Sequence, residues 1–339
     1  MSNYEHDWRP AMHMSPHATY RHRVAAHELT DRITPTSDVF VLAHFGVVRI
    51  QPDAWRLHVT GMVNRPAAIS LHELRELPKI ELEAFIKCAG FPHDHTIATR
   101  NVSNAVWGGV RLSEVLRQVD VRDGASFVWA FAPDHGSYAD FSADCYIKDI
   151  PLTRGLADDV LLAYELNGEP LAPEHGFPVR LLVPGYYGTN SVKWLSRIEM
   201  SDKRASHLFT SQLYRDPVLL PSGEVSSERM PVWEVAPEAL ITSPAHHATL
   251  TKGSICVSGW SWGATEICHV EISVDGGQTW RRVPAEPRRQ MSWQKFSFEW
   301  SQLQDGAVTI CARAVDRNGV TQPAQGARNA IHKISITIA

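Results

Sequence analysis

The feature that most restricts the fold of this chain is a change of texture near residue 230. Beyond it, SICVSGWSW, ICHVEISVDGGQTW, KFSFEW, AVTICARAVD and IHKISITIA succeed one another as short segments of near-alternating polarity. Alternation puts one face of each segment toward a core and the other toward water, which is the signature of a half-buried strand. Asp275-Gly276-Gly277 supplies a hairpin turn and Asp316–Gly319 another. About five or more such strands over roughly 110 residues, with almost no helical period, predict a β-sandwich.

The preceding stretch reads differently. From Val39 to about Ile198, strands such as Trp55–Gly61, Ser126–Pro133 and Pro178–Gly185 alternate with short helices. Ser70 and Glu73 form a capping box ahead of Leu71, Leu74 and Leu77, with Pro78 as the stop. Ser113 is placed to cap a second helix carrying Val115, Leu116 and Val119. Strands and helices without a regular βαβ period predict an α+β domain. The chain therefore divides into an N-terminal arm over 1–38, an α+β domain over 39–230 and the sandwich over 231–339. The prolines at 217, 221, 231 and 237 mark the connection as a linker, and the polar, His-rich first thirty residues are expected to pack late.

Several function classes drop out. No glycine-rich dinucleotide or P-loop motif occurs, and a net charge of −4 gives no electrostatic footprint for nucleic acid. No apolar run approaches the ~20 residues of a membrane span. The N-terminus has no apolar signal core, and the five cysteines share no C-x-x-C spacing. Reduced thiols in the cytoplasm are expected, or the periplasm if a signal was removed.

Three segments carry chemistry. Phe85–Gly90 is an apolar strand ending in Cys88-Ala89-Gly90, where small residues let a sulfur face a cavity; a buried structural cysteine reads equally well from this segment alone. Arg100–Leu112 is a polar loop running into a strand. Glu174–Arg180 together with Val183–Trp194 gathers His175, Arg180 and Lys193 around glycines, a combination suited to an anionic cofactor. A zinc cluster at Cys88, His93 and His95 lacks a second ligand pair. Asp94 can orient either imidazole, or all three can form a solvated loop.

In order and spacing, C-A-G, S-N-A-x-W-x-G-V-x-L, L-L-A-Y-E-L-N-G, H-G-F-P-V-R-L-L-V-P-G and S-V-K-W-L resemble the sulfite oxidase family. The C-terminal segments resemble that family's immunoglobulin-like dimerisation domain, and the match runs from about Val39 to the end. The resemblance implies a molybdenum–molybdopterin (pyranopterin dithiolene) enzyme that couples oxo transfer to two-electron transfer. It implies Cys88 as the metal-bound thiolate and His44, His175, Arg180, Ser191 and Lys193 as cofactor-binding residues. Tyr164 falls at the active-site tyrosine position, and the family's sandwich implies a homodimer. The chain carries no haem or flavin segment, so electrons are expected to leave to a separate partner such as a cytochrome.

Departures from the family pattern concern the substrate. The family's Asn-Arg-Arg after C-A-G is replaced by Phe91-Pro92-His93, and its Arg-Asn-His by Leu42-Ala43-His44. Its W-N-x-R-G segment is shortened to Gln325–Asn329, where spacing gives Arg328 no fixed counterpart. Each lost arginine removes charge-assisted contacts worth ~1.5–3 kcal/mol. A less positive pocket, with His93 as a catalytic candidate beside Cys88 and Tyr164, points to sulfite or a less charged sulfur compound. An S- or N-oxide reductase on the same cofactor is the alternative, and a scaffold that has lost the metal is another.

Overall fold

A computed structural model describes residues 8–14, 19–90, 100–138, 140–219, 225–302, 304–325 and 328–339. The molecule is mostly β, with few and short helices, and divides into two compact units. One comprises Met1–His22, Val41–Leu82 and Val106–Trp233, the other Arg23–Phe40, Glu83–Ala105 and Glu234–Ala339.

Two larger sheets organise the first unit, beside several two-stranded ones. In one, the strands run in the order Tyr146–Pro151, Phe127–Ala132, Arg197–Ser201, Arg56–Gly61 and Ala67–Ser70. All pairs are antiparallel except Arg197–Ser201 with Arg56–Gly61. Gly61 ends its strand at φ 81°, where a Cβ would lie 2.3 Å from the Met200 carbonyl oxygen, so only glycine fits that approach. In the other sheet, Leu161–Leu166 pairs with Val106–Arg111 on one side and Arg180–Leu182 on the other. The helix Leu71–Arg75 closes with the expected capping box: Glu73 N donates to Ser70 Oγ at 3.1 Å and Ser70 N to Glu73 Oε2 at 2.8 Å.

Three expectations need correction here. Ser113 is not a cap. The strand Val102–Arg111 runs straight into the helix Leu112–Val119, and Leu112 N is satisfied by the Val160 carbonyl at 2.9 Å, which leaves Ser113 inside the helix. The N-terminal arm does pack, since Met12–Met14 pairs with Val48–Ile50 and Tyr20–His22 with Val41–Ala43. The proline-marked linker contains a hairpin of Arg215–Leu219 with Val225–Pro231, a two-stranded edge where proline costs no inner ladder bond. Finally, the strand-like settings of Cys145, Cys256, Cys268 and Cys311 predict four core thiols, whereas Cys145 and Cys311 are buried but Cys256 and Cys268 are exposed. Period-two alternation puts their neighbours Ile255, Val257, Ile267 and His269 inside and the two sulfurs outside.

In the second unit the C-terminal strands form a three-stranded sheet, Glu238–Ser243, Gly253–Trp262 and Gln294–Gln302. A five-stranded sheet runs in the order Thr249–Leu250, His332–Ile338, Gly306–Asp316, Ile267–Ser273 and Arg281–Pro284. Ile241, Val257 and Phe296 from the first join Val270, Ile272, Ile310, Ile334 and Ile336 from the second in one buried cluster. The predicted Asp275-Gly276-Gly277 turn is present, with φ of 78° and 103° at the glycines. Main-chain bonds hold the segment leading to Cys88 in this unit: Phe85 N donates to Met291 O at 3.0 Å, and Met291 N to Glu83 O at 3.1 Å.

Candidate active site

The cationic loops of the first unit fold as a cradle built on main-chain carbonyls. A single turn at Pro173–His175 ends at Gly176 with φ 106°, where a Cβ would meet Lys193 Cβ at 2.9 Å. Glycine thus lets His175 and Lys193 approach. Arg180, at the start of the strand Arg180–Leu182, is 5% exposed. Its Nη1 donates to His175 O and its Nη2 to Ser191 O, both at 3.1 Å, and the guanidinium lies 5.0 Å from the Trp107 ring. Its Nε has no hydrogen-bond partner, and no carboxylate pairs with it among the described residues. Burial alone pulls its pKa down to about 9. A buried guanidinium held only by carbonyls is an arrangement awaiting an anion.

Ser191 and Lys193 complete this group. Ser191 Oγ accepts from Val183 N at 3.0 Å, tying the loop to the strand, and Lys193 Nζ donates to Leu42 O at 2.8 Å. Asp134, 4% exposed, feels the Lys193 charge, yet burial dominates and pushes its carboxyl up to about 7.

His44 lies at the end of the short strand Val41–Ala43 and is 7% exposed. Burial first, then the charges of Lys193 and Arg21, lower its pKa to about 3, so the imidazole is neutral at ordinary pH. It shares a hydrogen bond of 2.8 Å between Nε2 and the Tyr214 hydroxyl. Tyr138 meets its ring edge-on at 4.7 Å, and Phe209 lies 5.1 Å away. Tyr214 was not visible to motif reading. It reaches His44 because the chain turns sharply after Leu208–Gln212, with Tyr214 at φ 56°. Lys148 was missed too: it is 1% exposed, donates to Phe209 O at 2.8 Å and stands 5.5 Å from the Tyr214 ring centroid. Burial lowers its pKa to about 7.

Cys88 belongs to the second unit and is 7% exposed. Its N donates to Asn101 O at 2.9 Å, and Gly90 N donates to its sulfur at 3.4 Å. Arg328 donates to the Ala89 carbonyl, so the shortened C-terminal segment does deliver an arginine next to the cysteine. Lys87 Nζ donates to Cys88 O at 3.1 Å and lies 3.4 Å from Glu238, which Arg100 also pairs at 2.8 Å.

Among the expected site residues that the structure describes, Tyr164 lies apart from these groups. Tyr164 is buried in the strand Leu161–Leu166, with the Arg75 guanidinium 5.4 Å from its ring, and its neighbours Glu165 and Lys79 form an ion pair. The structure thus puts the hydroxyl beside His44 on Tyr214 and not on Tyr164. His93 lies outside the described residues, as does His95.

Comparison with known proteins then decides the family. The model for "Oxidoreductase molybdopterin binding domain" matches residues 44–209, and that for "Mo-co oxidoreductase dimerisation domain" matches 229–336. Sulfite oxidase of Gallus gallus is 30% identical over 341 residues, covering 93% of this chain and 73% of the chicken protein. The chain belongs to the sulfite oxidase family.

Other members of this molybdopterin oxidoreductase family align as well. Mitochondrial sulfite oxidase of Rattus norvegicus is 31% identical over 316 residues, covering 86% of the chain and 57% of the rat protein. A nitrate reductase of Hordeum vulgare is 32% identical, again over 86% of the chain but only 37% of its own length. The chain thus spans little more than half the length of the rat relative. Among solved structures, the sulfane dehydrogenase SoxCD of Paracoccus pantotrophus superposes with a TM-score of 0.77 and 25% identity. That match covers 98% of the chain and 86% of the Paracoccus chain.

Proposed function

We propose that this sulfite oxidase family member oxidises a sulfur compound by oxo transfer, coupled to passage of two electrons to a separate acceptor. The observation that carries the reading is Arg180, a buried guanidinium bonded to two carbonyls and to no acid among the described residues. The donor set fits a molybdenum–pterin group. Arg180, Lys193, His175 and Ser191 would hold its phosphate and pterin edges, His44 would accept or donate as a neutral imidazole, and Cys88 would be the protein sulfur on the metal. When bound, the molybdenum centre supplies the redox change and the transferable oxygen.

The chain's own residues do the rest. The Gly90 amide, donating at 3.4 Å, fixes the position of the Cys88 sulfur. Tyr214, its hydroxyl fixed by His44 at 2.8 Å, can hold a proton or a substrate oxygen in place. Lys148 places an amine near that ring in a dry environment, where burial disfavours its charged form.

The family's paired arginines after the cysteine are absent, while Arg328 is retained beside Ala89. One guanidinium where sulfite oxidases use several favours a substrate with less negative charge than sulfite, such as a terminal sulfane sulfur, as the name of the Paracoccus relative suggests. The nitrate reductase relatives favour reduction of an N-oxide as the second reading. Steady-state kinetics of the molybdenum-loaded protein with an artificial acceptor test both. Thiosulfate or persulfide oxidation should exceed sulfite oxidation in kcat/KM. Sulfite turnover at micromolar KM would refute the substrate assignment, and nitrate reduction with a reduced dye would favour the second reading. We also propose that the protein works as a homodimer through its C-terminal domain.

A further inference from the structure

Asp144 and Cys145 occupy the turn between the strands Phe141–Ala143 and Tyr146–Pro151, and His207 stands immediately before Leu208–Gln212. Their ligand atoms converge. Cys145 Sγ is 3.6 Å from Asp144 Oδ1 and 4.0 Å from His207 Nε2, and His207 Nε2 is 3.8 Å from Asp144 Oδ1. The imidazole is poorly satisfied as it stands. Nδ1 is buried without a hydrogen-bond partner among the described residues, and Nε2 is too far from the carboxylate to bond it.

These separations include weak sulfur hydrogen bonds, and they also suit an interposed cation. Metal–ligand bonds of about 2.0 Å to nitrogen and oxygen and about 2.3 Å to sulfur give tetrahedron edges of roughly 3.3–3.6 Å. Closing the three atoms by a few tenths of an ångström reaches that figure. Arg9 Nη2 donates to Asp144 O at 2.7 Å and lies 3.9 Å from Asp144 Oδ2, steadying the turn from its other side. The Cys145 side is buried, whereas the Asp144 side chain is 82% exposed. A fourth position would therefore face solvent.

We propose that Asp144, Cys145 and His207 form an open, exchangeable site for a zinc-like divalent cation. Mixed sulfur, nitrogen and oxygen donors select a borderline metal over calcium or magnesium. A nucleophilic or redox-active thiol is the competing role, and burial with the Asp144 charge argues against it by pushing the Cys145 thiol up to about 12. Metal entry must displace that proton, so binding should strengthen as pH rises. An occupied site would also join the turn to the segment whose Phe209 packs on His44.

The test uses the molybdenum-loaded protein after dialysis against EDTA, titrated with cobalt(II) and then zinc(II). A thiolate-to-cobalt charge-transfer band in the near ultraviolet should appear at one equivalent, fade on adding zinc, and shift its midpoint to lower cobalt between pH 6.5 and 8. Cys145→Ser should remove the band, and His207→Gln should weaken cobalt binding at least tenfold while keeping the parent's circular dichroism. No band in the parent, a full band in the Cys145→Ser protein, or unchanged affinity in a folded His207→Gln protein would each overturn the proposal.

Discussion

Replacing Lys148 with methionine should stabilise this protein below neutral pH, the reverse of what removal of a buried hydrogen-bonding side chain usually does. In the folded chain burial lowers the ammonium from 10.5 to about 7, a shift of 3.5 units that corresponds to ~5 kcal/mol at 1.36 kcal/mol per unit. The sign follows from proton binding. Between pH 7 and 10.5 the unfolded chain holds this proton more tightly than the folded one, so stability from this group declines as pH falls through that window and is lowest below about 7. Methionine keeps the length and apolar stem and removes the charge. It also leaves the Phe209 carbonyl without its 2.8 Å donor, a cost of roughly 1–3 kcal/mol. The net is a gain of about 2–4 kcal/mol at pH 6 that shrinks and changes sign by pH 10. Melting temperatures of parent and variant at unit pH steps from 6 to 10 measure it directly. A variant that melts lower at pH 6, or by an equal amount at every pH, would show that burial does not disfavour the Lys148 charge in the way described.

Cys88→Ser should leave the secondary structure intact while turnover disappears; circular dichroism beside a turnover assay checks both. Arg180→Gln should lower molybdenum and pterin content by tenfold or more, as read by metal analysis and pterin fluorescence after denaturation, while the cofactor-free variant melts no lower than its cofactor-free parent. His332, half-buried and accepting from Ile241 N at 3.1 Å, has its pKa lowered to about 3 by desolvation, with Arg100 and His246 adding to it. Its contribution is intact above pH 6.5 and lost as pH falls toward 3, so His332→Gln should flatten the acid limb of urea-unfolding midpoints measured from pH 7 to 4.

What could be read from sequence and what could not follows from how local each feature is. Arg180, His175, Ser191 and Lys193 sit within nineteen residues of one another, and the turns that bring them together are written in Gly176 and the prolines beside it. The C-terminal strands were legible because alternation needs no knowledge of partners; only the exposed Cys256 and Cys268 required knowing which phase faced the core. Tyr214 and Tyr164 show the opposite case. Both are buried tyrosines, and the strand motif around Tyr164 drew attention to it. The contact that matters to His44 comes from a residue 170 positions away, delivered by a left-handed backbone conformation. Arg328 was obscure for a related reason: a shortened segment shifts its spacing, yet the fold still returns the guanidinium to Ala89. Lys148 looks like any strand lysine until its neighbours Ile147 and Asp149 are seen to take the other face.

Arg180 also governs what becomes of the protein before it is complete. Its guanidinium rests on two carbonyls in a dry interior, so a newly made chain carries an uncompensated charge until an anion arrives. Ligand that binds only the folded form adds RT ln(1 + [L]/Kd) to its stability, about 4 kcal/mol at a thousandfold excess over Kd. Chains that meet their cofactor are thereby sorted from those that do not, and the latter open more often and reach proteases sooner. Cofactor supply would then set the standing amount of this protein as well as its activity, with Arg180 as one side chain through which it acts.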